Sequence, residues 1–181
     1  MSSLYSISIP VILNVLTVTS DILKKANEHA SEKGEQISEY LQMRIYEDML
    51  PLQVQVYIIC STSRKAVERL TGTAPAGSLG DVKQERTLEE LLAMVADTAK
   101  VVEGVTPESI DGKEKTRVPC ALGKYSYEAD LVDYIQGYPI PTVYFHLNMI
   151  YALLRGKGVP LGKMDYITPF MKKTFELKST S

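Results

Sequence analysis

Tryptophan is absent from the 181 residues, and histidine, cysteine and phenylalanine occur only two, two and three times. The cysteines, Cys60 and Cys120, stand in unrelated segments with no CxxC spacing. They are expected to be reduced thiols of an intracellular protein, not a redox pair or a zinc knuckle. An excess of either charge is also missing: 20 Lys and Arg face 22 Asp and Glu. That leaves no electrostatic case for a nucleic acid or for a membrane surface. The only basic cluster, Lys172, Lys173 and Lys178, falls in the last stretch of the chain, where a solvated tail is expected. There is no internal repeat and no GxGxxG, P-loop, GxSxG or HExxH pattern, which removes the dinucleotide, nucleotide, α/β-hydrolase and zincin classes. Residues 4–18 are apolar, but they lack a basic leader and a small-residue cleavage site, and Pro10 interrupts them. The chain is therefore expected to be cytoplasmic.

What is present is helical periodicity. One domain over residues 1–170 with a basic tail over 171–181 is expected, long enough for a core without disulfides or metals. A first helix is predicted from near Pro10 to near Gly34, with Leu13, Leu16, Ile22, Leu23, Ala26 and Ala30 at helical spacing. A second enters at Pro51 and closes at Gly72, with a buried stripe through Leu52, Val56, Ile59, Ser63, Val67 and Leu70. The Gly-, Ala- and Pro-rich linker 71–86 precedes a third, announced by a Thr87/Glu90 capping box. The fourth runs from about Pro141 to Arg155 and is apolar almost all round, until Gly156, Gly158 and Pro160 stop it. A helix of that character belongs inside a bundle or in a subunit interface.

Two connections are long. Between the first two helices, GEQISEYLQMRIYEDML is predicted to hold one short helical turn around Ser38–Gln42. Between the last two, RVPCAL and YSYEA flank Gly123-Lys124 as a hairpin, with Pro119 confining its strand to an edge, and Asp130–Gln136 forms a short helix. The pattern is an all-α four-helix bundle with a small β-hairpin before the fourth helix.

Each candidate functional residue has a plain structural alternative. His146, on the fourth helix, is either a core histidine bonded to its neighbours or a general base or metal ligand. His29 borders the buried stripe of the first helix near its end. Arg44 and Asp48 are four residues apart and pair if that stretch is helical; Asp48 alternatively caps the second helix. Gln55 is the polar residue of the second helix best placed to face a pocket at that end of the bundle. Tyr144 lies beside His146 in sequence.

Four stretches, SLYSISIPVIL, LKKANEHA, RIYEDMLPLQVQV and FHLNMIYALLRGKGVPLGKMDY, occur in this order over roughly residues 2–167. Together they resemble a bacterial and fungal family known only as a domain of unknown function, grouped with the DinB/YfiT-like metalloenzyme superfamily. The histidine followed by LLR and GVPLGKxDY is the most specific part. The resemblance implies a four-helix bundle with long crossover connections, a pocket at one end, and a homodimer. In metal-binding relatives three histidines, one on the second helix and an HxxxH pair on the fourth, hold a divalent ion, and some relatives use a small thiol as cosubstrate. Here His146 matches the second of the pair, Thr142 stands where the first would be, and the second helix has no histidine. No metal or cofactor is therefore carried over.

Three functions follow as expectations. The first is a protein that binds or transforms a small molecule, with His146, Asp48 and Arg44 as catalytic groups and His29, Gln55 and Tyr144 as substrate contacts. The second is a metal-assisted hydrolase or transferase using His146 and oxygen ligands. The third is a non-catalytic dimeric scaffold or stress protein in which Tyr144, Asn148 and Tyr151 face a twofold mate. In all three the partner is a small molecule or a second copy, not nucleic acid or membrane.

Overall fold

The computed structural model describes residues 3–122 and 124–171. Four long helices form the core: α1 (Leu4–Lys33), then the short α2 (Ile37–Leu41), α3 (Leu52–Thr71) and α4 (Leu88–Glu103). A one-turn α5 (Pro107–Ile110), the hairpin β1 (Arg117–Leu122) and β2 (Tyr125–Asp130), and α6 (Leu131–Gly137) lead to the fourth long helix, α7 (Pro139–Gly156). A last helix, α8 (Lys163–Met171), returns over the bundle. Gly123 and the basic cluster at Lys172, Lys173 and Lys178 lie outside the described residues.

Packing explains the long connections. α1 packs on α4 and α7, and α3 packs on the same two helices, so α1 and α3 sit on one diagonal of the bundle and α4 and α7 on the other. A chain crossing a diagonal needs more residues than one turning to a neighbour. α2 with its following loop spans the first diagonal, and α5, the hairpin and α6 span the second. α3 and α4 are neighbours.

Most boundaries follow their local chemistry. Pro51 precedes α3, and Gly72 ends it in the left-handed conformation at φ 79°, open to glycine without strain. The Thr87 and Glu90 side chains of α4 each bond the other's backbone N–H, as the sequence indicates. The hairpin pairs Arg117 with Asp130 through Leu122 with Tyr125.

Two boundaries differ from expectation. α1 begins at Leu4, capped by Ser3, so Pro10 lies inside it and does not mark its start. The only intrahelical bond Pro10 forfeits is to the carbonyl of Ser6, an exposed residue where water can substitute. α8 is not among the helices that the sequence predicts, where Gly156, Gly158 and Pro160 stop the fourth helix and mark a strap after it. It has no fully buried residue. It is held instead by a run of rings, with Tyr144 on Phe170 at 5.8 Å, Phe170 on Tyr166 at 6.3 Å and Tyr166 against Tyr151 at 6.1 Å, and by a Lys25–Asp165 ion pair. α1 is long and apolar enough by composition to cross a membrane, with a mean hydropathy of 1.6 over its best window. Its apolar side, including Ile12, Val15, Leu16, Ile22 and Leu23, is packed inside the bundle.

The linker after α3 is organised by one buried cation. Arg86 is 9 % exposed. Its guanidinium donates to the carbonyls of Leu79, Asp81 and Gln84 at 2.9, 2.7 and 2.8 Å and stacks over Tyr57 at 5.1 Å. Its backbone N–H donates to Gln53 Oε1 at 2.9 Å.

Two outcomes are expected. Arg86→Ala should lower unfolding stability by about 2 kcal/mol in urea titrations, because three carbonyls lose one charged donor. Arg86→Lys should restore only part of this, since an ammonium lacks the planar fork. Burial pushes the Cys60 thiol up to about 12, whereas Cys120 is half-buried on β1. A native thiol titration should therefore release one fast equivalent, abolished by Cys120→Ser, with Cys60 reacting only on unfolding.

Candidate functional site

The best-defined polar arrangement among the described residues joins α3 to α7. Gln55, in the first turn of α3, is 3 % exposed, so its amide must find partners within the protein. Its Nε2 donates to the carbonyl of Leu50 at 2.7 Å, and its Oε1 lies 2.6 Å from His146 Nδ1. A carbonyl can only accept, so Leu50 fixes which end of the amide is NH2. The Oε1 end then also can only accept, and His146 Nδ1 must carry the proton. This assigns the tautomer by hydrogen-bond logic: Nδ1–H points inward and Nε2 keeps a bare lone pair. Burial lowers the His146 pKa below its ordinary 6.5, so the ring is neutral at pH 7. The ring is half-buried, with Nδ1 on the covered side. Phe145 stands edge-on to it, 5.1 Å between centroids and perpendicular, and is itself 53 % exposed.

The other predicted residues are placed differently. Arg44 is exposed and donates to the carbonyl of Met49 at 3.2 Å, one residue before the carbonyl that holds Gln55. Residues 42–51 are not helical, and no ion pair joins Arg44 to Asp48. Asp48 is exposed and does not cap α3, which has Pro51 at its cap; the Leu52 N–H is taken by the Met43 carbonyl at 3.0 Å. His29 packs near Tyr40, 6.4 Å between rings, and against Gly158, whose φ of 103° few other residues adopt. Between His146 and Gly156, α7 rises about 15 Å, so the two histidines do not converge. Around His29, Tyr40 donates to Glu35 at 2.8 Å and Lys157 pairs with the same carboxylate at 2.8 Å, which ties the end of α1 to the end of α7. Tyr144, two residues before His146, points to a different side of α7 and stacks on Phe170; burial raises its pKa.

The structure thus unites His146 with Gln55, brings Arg44 to the adjoining carbonyl, and leaves His29, Asp48 and Tyr144 elsewhere. Two participants were not singled out from sequence: the Leu50 carbonyl, which no side-chain pattern reveals, and Phe145, whose exposure inside an apolar helix only packing shows.

The donor set does not suit a three-histidine metal site. Gln55 Oε1 faces the ring from α3, Thr142 stands one turn before His146, and among the described residues no three His, Cys, Asp or Glu side chains are grouped to hold an ion. A cleft of about 710 Å³ lies between α2 and the start of α4, lined by Ile37, Leu41, Arg86 and Leu88 among others. Neither His146 nor Gln55 lines it.

A crystal structure of a DinB family member protein from Shewanella denitrificans superposes with a TM-score of 0.79 and 28 % identity, over 91 % of each chain. No curated protein matches. The family model described as "Domain of unknown function (DUF1993)" matches residues 4–167. That span takes in every long helix and the strap after α7, so the chain belongs to the DUF1993 family, an uncharacterised group with the DinB-like fold.

Proposed function

We propose that this protein binds or transforms a small molecule at His146, with Nε2 as hydrogen-bond acceptor and general base and Gln55 as the residue that positions it. The observation that carries this reading is the 2.6 Å contact between Gln55 Oε1 and His146 Nδ1, with the amide itself oriented by the Leu50 carbonyl. A base must be unprotonated at working pH and aimed outward; this arrangement supports both. Loss of an ancestral three-histidine metal site is part of this reading, since the chain has only two histidines and Thr142 stands four residues before His146, where the first of the pair would be. Arg44, bonded to the Met49 carbonyl next to the Leu50 carbonyl that anchors Gln55, supplies a cation on that side. The cytoplasmic setting expected from the sequence is kept as part of this reading.

A dimeric scaffold is the second reading, favoured by the exposure of Ile45, Tyr46, Leu50 and Phe145, at 53, 68, 49 and 53 %. The sides of Tyr144 and Tyr151 are already covered by α8, so a mate would contact the Phe145 side.

Three measurements test the proposal. Long-range ¹H–¹⁵N spectra at pH 7.5 should show His146 as the Nδ1–H tautomer; an Nε2–H ring would end the base reading. Elemental analysis after incubation with zinc, nickel and manganese should find well below one equivalent in wild type and no difference in His146→Ala. Stoichiometric metal lost in the variant would restore the metalloenzyme reading. The third is pH dependence. Because the folded pKa of His146 lies below the unfolded value, the unfolded chain takes up a proton near pH 6.5 that the folded chain refuses. Stability from this group is therefore complete above about pH 6.5 and is lost as pH falls toward the folded pKa. The lowered carboxylates Glu35, Glu108, Asp130 and Asp165 have ordinary values of 4.5, 4.5, 3.8 and 3.8 and act beneath that window. Melting temperature should fall from pH 7.5 to 5.5 in wild type and fall less in His146→Gln.

A further inference from the structure

The chemistry of the His146 edge selects its ligand. Nδ1–H is committed to Gln55, so the outward nitrogen offers only a lone pair. An anion brought to that lone pair meets repulsion, whereas an O–H or N–H group meets its acceptor. Next to the imidazole, Phe145 exposes an aromatic ring held perpendicular to it, 5.1 Å between centroids. A planar apolar body laid on that ring would remove its surface from water while its polar hydrogen reaches Nε2.

Building on the base reading above, we propose that the site takes a neutral aromatic hydrogen-bond donor, of the phenol or indole class, with its O–H or N–H on His146 Nε2 and its ring against Phe145. Such a ligand is also what a neutral imidazole can act on: the proton it would move is the one it binds. Arg44 is the rival anchor. It is exposed, tied by one nitrogen to the Met49 carbonyl, and its remaining N–H groups would favour a carboxylate.

The test uses ¹⁵N-labelled full-length protein and three probes of similar size. Phenol carries the donor, anisole has it methylated, and benzoate replaces it with an anion. The His146 Nε2 shift should move on titration with phenol, and anisole should bind roughly tenfold more weakly, the effect of one hydrogen bond. Benzoate should be weaker still. Gln55→Met, which removes the acceptor that fixes the tautomer, should erase the preference for phenol over anisole while far-ultraviolet circular dichroism stays native. His146→Phe should abolish it. Equal affinity for phenol and anisole, a preference for benzoate, or no binding of any probe at tens of millimolar would each overturn the proposal; a benzoate preference would transfer recognition to Arg44. The tautomer, read in the same spectra, separates the two levels. A bare Nε2 without phenol selectivity sinks only the ligand class, whereas a protonated Nε2 sinks the base reading beneath it.

Discussion

Burial of the apolar seam between α3 and α7 is the constraint from which the rest follows. Val56 and Ile59 of α3 and Val143, Leu147, Ile150 and Leu154 of α7 are essentially inaccessible to water, and side chains of this kind contribute roughly 1.5–3 kcal/mol each when fully buried. Gln55 precedes Val56 and is drawn into the same seam. An amide there without partners would cost about 1–3 kcal/mol, as much as one of those side chains contributes, so both of its ends are satisfied. The Leu50 carbonyl takes one end and His146 the other. The tautomer of the imidazole is thus a consequence of hydrophobic packing, passed through one side chain and one carbonyl.

That carbonyl is where it is because of the bundle's layout. With α1 and α3 on a diagonal, the chain between them must cross the end of the bundle. Residues 42–51 do so in irregular backbone, closed by the Met43 carbonyl on the Leu52 N–H. Irregular backbone leaves carbonyls unpaired by helix geometry, and these become the anchors for Gln55 and Arg44. A regular helix there would have paired Arg44 with Asp48 and consumed the same carbonyls internally.

The remaining polar and aromatic groups close the structure. Glu35, Tyr40 and Lys157 lock the end of α1 to the end of α7, with His29 packed beside them. The rings of Tyr144, Tyr151, Tyr166 and Phe170 fasten α8 without burying any residue of it fully. Aromatic contact at these separations adds only about 0.5–1.5 kcal/mol per pair beyond area burial, which suits an outer helix and not a core one.

The sequence by itself determined the four long helices, apart from the start of α1, since periodicity, prolines at the starts of α3 and α7, glycine after α3 and the Thr87/Glu90 box are local rules acting within a few residues. It also determined the membership of the family, through the His–LLR–GVPLGK spacing around His146. Pro10 misled because a single missing hydrogen bond is tolerable where water can replace it, a matter of exposure that composition does not reveal. α8 was hidden for a related reason: its Tyr166 and Phe170 act through Tyr151 and Tyr144 of α7, partners that its own segment does not contain. Only the tertiary structure decided the site. His146 and Gln55 are 91 residues apart, and nothing local says that their side chains meet, that Leu50 orients the amide, or that His29 and Tyr144 face elsewhere. Those outcomes depend on helix rotation and crossing, which the burial of whole faces sets at once and no single segment encodes.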